Sequence, residues 1–208
     1  DWSSDVCSSD LPSKKRLLTL SNLLSQQPQE KMRITSAEIA KFTGWGEATI
    51  RRDISLLELH TGKSNGYELK SLKTEIDKNL GLIKSGGEKH NCCIVGLGSL
   101  GQAFLENSVF LNENFALVAG FDSNQNRVEL IKSKIPLFPT LDLEKTIRQQ
   151  KIEFAILTVD DSMAQKMTDR LVSYGIKGIV NYTNAVLTVP ENFRLENASP
   201  EKSLANLL

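Results

Sequence analysis

The stretch CIVGLGSLGQAF, residues 93–104, places Gly96, Gly98 and Gly101 in the spacing G-x-G-x-x-G. It follows an apolar run typical of a buried strand and leads into a run typical of a helix, which is the context this motif requires. In that context Gly96 permits a tight turn, Gly98 lets a pyrophosphate approach the backbone, and Gly101 lets the helix pack closely on the strand. The phosphates would lie at the helix N-terminus, where N–H groups and the helix dipole favour anions. The predicted contacts of this loop are Gly96, Leu97, Gly98, Ser99, Leu100 and Gly101.

Asp122 supports the same interpretation, because it ends the next apolar run, ALVAGFD, 21 residues after Gly101. A carboxylate at that point accepts hydrogen bonds from ribose hydroxyls and repels a 2′-phosphate, which favours NAD(H) over NADP(H). Arg127 lies near enough in sequence to leave that preference open. Two alternatives remain: the glycines serve only a tight turn, or the loop binds another nucleotide such as coenzyme A.

From residue 91 onward, short apolar runs alternate with helical stretches. The predicted strands are CCIVGLG, FALVAGFD, FAILTVD and KGIVNYT, and the predicted helices are LGQAFLENS, QNRVELIKS, LEKTIRQQ and SMAQKMTDRLVSYG. Such alternation is typical of a parallel sheet covered by helices on both faces. The sequence therefore predicts an α/β class, with a Rossmann-type doubly wound domain over 91–195 after a glycine-containing linker at 84–90.

The chain before this linker has a different pattern. Leucines at helical spacing predict a helix over 14–27, and Thr35 with Glu38 reads as a capping box at the start of a second helix. The turn GWG then precedes a third predicted helix over 47–60. The Gly/Asn-rich stretch GKSNGYEL predicts a wing or hairpin, and residues 71–83 predict a connecting helix. These elements predict a winged-helix domain over 12–83.

The third helix has the features of a DNA-reading element. Ile50, Ile54 and Leu57 share one face, while Arg51 and Arg52 lie off that face in its first half. Arginine's planar fork suits guanine edges and phosphates, and recognition helices present their first half to the major groove. Residues 11–80 carry 12 Lys and Arg against 8 Asp and Glu, a net charge of +4 that is compatible with nucleic acid. The predicted DNA contacts are Thr49, Arg51, Arg52, Ser55 and Lys63. The alternative is a small helical domain with two solvated arginines that Asp53 partly neutralises.

Other features of the sequence limit which class of protein this chain can be. Residues 1–11, DWSSDVCSSDL, fit no element and are interpreted as a non-native or disordered segment. The cysteines Cys7, Cys92 and Cys93 lack metal-ligand spacing, which favours a reduced, cytoplasmic chain. No apolar run approaches the roughly 20 residues that a membrane span needs.

A catalytic constellation is missing from the pattern. A hydride-transfer enzyme needs a substrate pocket and a group of suitable pKa. His60 ends the third helix and His90 lies in the predicted linker, so neither is placed near a nicotinamide. Four other ionisable residues follow a strand or lie on a helix and are interpreted as solvated surface groups: Asp160, Asp161, Lys166 and Tyr174. We therefore expect no catalytic residue.

Over residues 14–208 the chain resembles the Rex family of redox-sensing transcriptional repressors. The matching stretches, in order, are ATIRRDIS, GY at 66–67, VGLGSLGQA, GFD, ILTV, GIKGIVNY and VLTVPENFRLEN. The resemblance implies a homodimer in which NADH binding releases operator DNA, NAD⁺ competes, and a terminal helix, here 196–208, is exchanged between subunits. It also implies that Thr158, Val159 and the segment 181–183, with Tyr182, lie toward the nicotinamide.

The chain departs from the family pattern at several points. The wing carries Lys63-Ser64 where Arg-Gly is usual, and Tyr182-Thr183-Asn184 replaces Phe-Ala-Pro. A ligand-linked network of Arg, Tyr and Asp aligns with Asn22, Asn107 and Ser199, an aromatic residue aligns with Pro200, and the last helix is short. These losses predict an altered dinucleotide switch, while DNA binding and dimerisation are less affected.

The leading hypothesis is thus a cytoplasmic, dimeric repressor that responds to NAD(H). Two alternatives stay open: a small NAD-dependent oxidoreductase, and a nucleotide- or coenzyme A-binding module without ligand-controlled DNA binding.

Overall fold

The computed structural model describes residues 11–28, 30–57, 66–84, 87–106, 114–205 and 207–208. The chain divides into two compact units, one ending at Gly87 and the other beginning at Glu88. This division falls within the segment 84–90. None of the helices in the described part of the chain has the length and apolar content that crossing a bilayer requires.

The first unit is a small helical fold with a two-stranded sheet. Its elements are α1 (Leu11–Ser25), β1 (Arg33–Ile34), α2 (Ser36–Thr43), α3 (Glu47–Ser55), β2 (Tyr67–Glu68) and α4 (Leu69–Asn79). One apolar cluster joins all four helices: Leu17, Leu20, Leu24, Ile34, Ile39, Ile50, Ile54, Leu57, Leu69, Leu72 and Ile76. The predicted apolar faces of α1 and α3 are therefore confirmed. The helix predicted over 71–83 is α4, which packs in this core rather than merely connecting two domains.

The entry into α2 is fixed by the predicted capping box, which the structure confirms. The Glu38 N–H donates to Thr35 Oγ1 at 3.2 Å, and the Thr35 N–H donates back to Glu38 Oε2 at 2.8 Å. That backbone hydrogen bond, helped by Lys31, lowers the pKa of Glu38 to about 2. Gly44 ends the helix with φ of 71°, a left-handed conformation that glycine adopts without steric cost. Phe42 near the end of α2 is exposed, with Lys31 above its ring.

α3 and the wing differ from the prediction in extent. The helix predicted over 47–60 ends at Ser55, and Leu57 closes a turn by donating to the Ile54 carbonyl. Residues 58–65, which include His60 and Lys63, lie outside the described residues. The wing strand β2 pairs antiparallel with β1, a two-residue strand too short to produce a sequence signal.

Asp53 has a role that the sequence did not indicate. In the alternative interpretation of α3 it partly neutralises Arg51 and Arg52, but it is buried and pairs with a residue of α1 instead. Arg16 Nε donates to Asp53 Oδ2 at 2.6 Å and Nη2 donates to Oδ1 at 2.9 Å. This bidentate pair raises the pKa of the Arg16 guanidinium. Arg51 and Arg52 of α3 are thus left without this counter-charge.

Replacing Asp53 with alanine should destabilise the first unit by about 3 kcal/mol, because removing one member of a buried pair leaves the other without compensation. The measurement is the free energy of unfolding from urea denaturation. Glu75→Ala, which breaks the exposed Lys78–Glu75 pair, is the matched control and should cost less than about 1 kcal/mol. Equal losses in both variants would contradict a structural role for the Arg16–Asp53 pair.

The second unit is a parallel sheet of six strands within the described residues. The strands are β3 (His90–Val95), β4 (Phe115–Asp122), β5 (Leu137–Pro139), β6 (Phe154–Leu157), β7 (Gly178–Asn181) and β8 (Arg194–Asn197). Their order is β5-β4-β3-β6-β7-β8, and every neighbouring pair is parallel. This is the strand order of a Rossmann fold, which confirms the predicted class.

The helices between these strands follow the sequence pattern. They are α5 (Ser99–Glu106), α6 (Gln125–Leu130), α7 (Leu143–Gln149) and α8 (Asp161–Ser173), and α9 (Pro200–Ala205) follows the last strand. The four predicted strands are present, whereas β5 and β8 were not predicted. Because β8 runs to Asn197, the terminal helix occupies less of the predicted segment 196–208.

The opposite ends of β3 have different environments. His90 was predicted in the linker, but it begins β3, where its ring lies between Phe115 and Phe154 and its Nδ1 is 3.0 Å from Glu153 Oε2. Cys92 and Cys93 are buried free thiols, and burial raises the pKa of Cys93. The glycine loop leaves the other, carboxyl end of the strand, where parallel sheets bind ligands.

Candidate functional site

Each of the three loop positions requires glycine, or tolerates it, for a different structural reason. At Gly96 the φ angle is 102°, and an added Cβ would lie 2.6 Å from the Thr158 carbonyl oxygen. At Gly101 an added Cβ would overlap the carbonyl oxygen of Gly96. At Gly98 an added Cβ would meet no protein atom within 4 Å. The first two therefore serve packing, whereas Gly98 borders open space that a ligand can approach.

Asp122 is buried at the end of β4 and organises the loop. Its Oδ2 accepts the Leu97 N–H at 2.7 Å, and its Oδ1 accepts the Asn124 N–H at 2.7 Å. Arg127 Nη1 lies 3.3 Å from Oδ2. Oδ2 therefore accepts two donors, whereas Oδ1 keeps a second lone pair, so the residue can hold the loop and still accept a ribose hydroxyl.

Thr158 connects the end of β6 to the same loop. Its Oγ1 donates to the Gly96 carbonyl at 2.7 Å and lies 3.2 Å from the Val95 carbonyl. Asp122 at the end of β4 and Thr158 after β6 therefore both hold the loop that follows β3. The strand order reverses at this point in the sheet. Such a switch point leaves a crevice between the loops on its two sides.

A cavity of about 290 Å³ occupies this crevice. Its lining comprises Gly96, Gly98, Asp122, Ser123, Arg127, Thr140, Thr158, Val159, Asp160, Met163, Lys166, Met167 and Arg170. Five residues predicted from the sequence are brought together here: Gly96, Gly98, Asp122, Thr158 and Val159. Backbone N–H groups, carboxylates, hydroxyls and cations thus surround one concave space, which suits a polar, anionic nucleotide.

The other predicted contacts lie beside the cavity rather than in its lining. Leu97 is buried, and Gly101 packs against Gly96, while Ser99 and Leu100 are exposed at the start of α5. Tyr182 packs edge-on against Phe104, with ring centroids 5.2 Å apart. These positions support the loop and the sheet beneath it.

One wall of the cavity was not predicted from the sequence. Asp160 and Lys166, interpreted as solvated surface groups, are exposed but line the cavity with Met163 and Arg170. Three or four residues separate successive members of this set, which places them on one face of α8. The spacing groups these residues, but it does not show that this face of α8 meets the crevice. The Arg170 side chain is held in the cavity lining because its Nη2 donates to the Thr140 carbonyl at 2.7 Å.

The other residues that the family resemblance linked to the ligand lie in different parts of the chain. Asn22 is exposed on α1. Buried Asn181 accepts from the Thr183 N–H and donates to the Ala185 carbonyl, so it shapes the loop after β7. Ser199 precedes α9, and its carbonyl accepts the N–H of Ser203. Asn107 lies outside the described residues.

In the first unit, α3 presents a polar surface. Thr49, Arg51, Arg52 and Ser55 are exposed, as predicted. Arg51 is oriented by Glu47 at 3.1 Å and by the Ser36 hydroxyl at 3.3 Å. Ser55 instead donates back to the Arg52 carbonyl at 2.7 Å, which lessens its availability for an outside partner.

Comparison with known proteins places this arrangement in a family. Residues 87–193 match the family described as CoA binding domain. The chain is 35% identical over 178 residues to the redox-sensing transcriptional repressor Rex of Ligilactobacillus salivarius (strain UCC118), covering 86% of this chain and 82% of that protein. It is 37% identical over 178 residues to Rex of Bacillus velezensis (strain FZB42), covering 86% of this chain and 80% of that protein. The chain belongs to the Rex family.

Solved structures extend the Rex relationship to both units. RSP, a Rex-family repressor, in complex with β-NAD⁺ and operator DNA matches with a TM-score of 0.84 at 29% identity, covering 98% of this chain and 92% of that chain. RSP in complex with β-NADH matches with a TM-score of 0.81 at 30% identity, covering 98% and 93% of the two chains. Rex proteins are named as repressors rather than enzymes, which agrees with the expectation that this chain has no catalytic residue.

Proposed function

We propose that this chain is a transcriptional repressor that binds operator DNA through its first unit and NAD(H) through the cavity of its second unit. In this proposal NADH binding lowers the affinity for DNA. The observation that carries it is the cavity bounded by Gly98, Asp122 and Thr158, in a chain that matches RSP over both units.

The residues of the cavity fit a dinucleotide. Gly98 leaves room for a pyrophosphate beside the start of α5, where first-turn N–H groups have no acceptor within the helix. The second lone pair of Asp122 Oδ1 would accept an adenosine ribose hydroxyl. Thr158, Val159 and Tyr182 would lie toward the nicotinamide. Bound NAD(H) would supply no reaction here; its reduction state would be the signal.

The first unit is suited to DNA because its α3 arginines lie on an exposed helix face. Arg51 and Arg52 extend from the exposed face of α3, whose other face packs in the core. Thr49 lies beside them and would add a polar contact. Lys63 of the wing would reach a phosphate, as sequence analysis predicts. The exposed residues of α3 would enter the major groove, as in other helix–turn–helix proteins.

We also propose a cytoplasmic homodimer. Leu204 and Leu207 are exposed near the C-terminus, and Val186 is exposed on the loop after β7. Exposed apolar side chains that lie together mark protein contacts, and Leu204 and Leu207 are only three positions apart in the chain. A symmetric dimer would present two α3 helices to a palindromic operator.

Saturating NADH should weaken binding to a duplex selected by this protein from a random library by about 5- to 150-fold, the range of typical coupling energies. The measurement is fluorescence anisotropy of labelled duplex at fixed salt, titrated separately with NADH, NAD⁺ and coenzyme A. A scrambled duplex is the control for sequence-independent binding. If NADH binds by its own fluorescence but leaves the affinity for DNA unchanged, the chain is a repressor without this switch, as the changes at Asn22, Asn107 and Ser199 would predict.

A further inference from the structure

Glu47 places a negative charge on the helix that the proposed function assigns to DNA. It is the first residue of α3 and lies one turn before Arg51, on the same side of the helix. A carboxylate in that position is repelled by phosphates, so it lowers sequence-independent affinity. The exposed ion pair that it forms with Arg51 adds little to stability. The orientation of Arg51 is therefore the main favourable effect of Glu47 on this surface.

The Arg51 guanidinium is held by one of its nitrogens. Nη1 lies 3.1 Å from Glu47 Oε2 and donates to the Ser36 hydroxyl at 3.3 Å. That hydroxyl, on the first residue of α2, in turn donates to Glu47 Oε2 at 3.5 Å, so these contacts join both helices. Among the described residues, no hydrogen bond uses Nε or Nη2 of Arg51. This open edge is a planar fork of the kind that pairs with O6 and N7 of a guanine.

Arg52 has a different environment, although it is the next residue of α3. Its guanidinium makes no ion pair within the described part of the chain, so it keeps a full positive charge. A full charge gains most from a phosphate. Arg51 is partly neutralised by Glu47 and gains less from a phosphate, but it keeps two donors for a base edge. The two arginines are therefore suited to different parts of a duplex.

We propose that Glu47 is a specificity-determining residue for operator DNA, which acts by positioning Arg51 on a guanine and by withholding the charge of Arg51 from the phosphates. The inference rests on the proposed DNA-binding function and divides the two arginines into a base reader, Arg51, and a phosphate contact, Arg52. Glu47 itself needs no contact with DNA. Ser36 supports the same orientation from α2.

The test is Glu47→Gln, which keeps the length of the side chain and removes its charge. Anisotropy on the full chain gives dissociation constants for the selected duplex, a scrambled duplex, and selected duplexes in which each G·C pair is replaced in turn. The ratio of the scrambled to the selected constant should fall by about 5- to 10-fold, the lower end of what one bidentate base contact contributes. The preference should relax at one G·C pair of each half-site, the same pair that Arg51→Ala relaxes.

A second background and a control complete the test. In Arg51→Ala protein, adding Glu47→Gln should change the ratio less than about 2-fold, because Glu47 acts through Arg51. Glu144→Gln breaks a similar Glu–Arg pair in the first turn of α7 and should leave both constants unchanged. Thermal unfolding measures separately how far Glu47 supports the start of α3, where Gly46 provides no side-chain cap.

The proposal is overturned if Glu47→Gln changes the affinity for selected and scrambled duplexes by the same factor, because charge repulsion or a weaker helix would then explain the whole effect. It is also overturned if the effect persists without Arg51, or if Glu47→Gln and Arg51→Ala relax different base pairs. In these cases the wild-type protein still prefers the selected duplex, and the proposed function stands. A wild-type protein that binds both duplexes equally would overturn the proposed function and, with it, this inference.

Discussion

Simultaneous replacement of Arg51 and Arg52 with alanine should weaken operator binding at least about 100-fold. Each arginine that contacts a base edge or a phosphate contributes about 1–3 kcal/mol, and a dimer would lose each contact twice. Both side chains are exposed on α3, and Arg51 is already oriented by Glu47 and Ser36. Because neither arginine packs in the core, the variant should unfold at the wild-type temperature. The measurement is anisotropy of the selected duplex over a series of salt concentrations.

The control for this variant removes the same charge from another helix. Lys70 and Lys78 are exposed on α4, and replacing both with alanine lowers the net charge equally. We expect this control to change DNA affinity less than about 3-fold. The single variants separate the two arginines: a residue that contacts phosphate lowers the salt slope by about one, whereas one that reads a base relaxes sequence preference. Equal losses in the α3 and α4 double variants would show that only the overall charge attracts DNA.

The exposed face of α3 could be predicted because its pattern is local. Ile50, Ile54 and Leu57 recur at helical spacing, and residues between them must face outward. The partner of Asp53 could not be predicted in this way. Arg16 lies 37 positions earlier, and only the packing of α1 against α3 brings the two charges together. Proximity in sequence suggested Arg51 and Arg52 in the alternative interpretation of α3, whereas the structure pairs Asp53 with Arg16.

Some residues of the cavity could be predicted from a local sequence pattern, and others could not. Gly96, Gly98 and Asp122 were identified because the glycine spacing and the strand end each carry a local signal. Asp160 and Lys166 were interpreted as surface groups since nothing local says which face of α8 meets the crevice. The parallel order of β3 and β6 determines that face, and it follows from pairing between distant segments. The Asp122–Arg127 ion pair likewise depends on side-chain geometry.

Replacing Gly98 with alanine should weaken NADH binding by about 10- to 100-fold without destabilising the fold. An added Cβ at this position meets no protein atom within 4 Å, and its backbone is not in the left-handed region. The methyl group therefore fills only the space that the pyrophosphate would need, and a clash of that size costs about 1–3 kcal/mol. Gly98→Val should weaken NADH further. Calorimetry gives the affinity, and thermal unfolding checks the fold.

Gly101→Ala is the matched comparison, because the same methyl group there overlaps the Gly96 carbonyl. This variant should lose about 1–3 kcal/mol of stability through overpacking, so its loss of NADH binding would come with a lower unfolding temperature. Gly98→Ala should instead keep the wild-type affinity for DNA and lose only the response to NADH. Loss of DNA affinity in Gly98→Ala without NADH present would contradict this separation, because the loop would then act on the DNA-binding state by itself. A wild-type response to NADH in the Gly98→Val variant would place the ligand elsewhere in the chain.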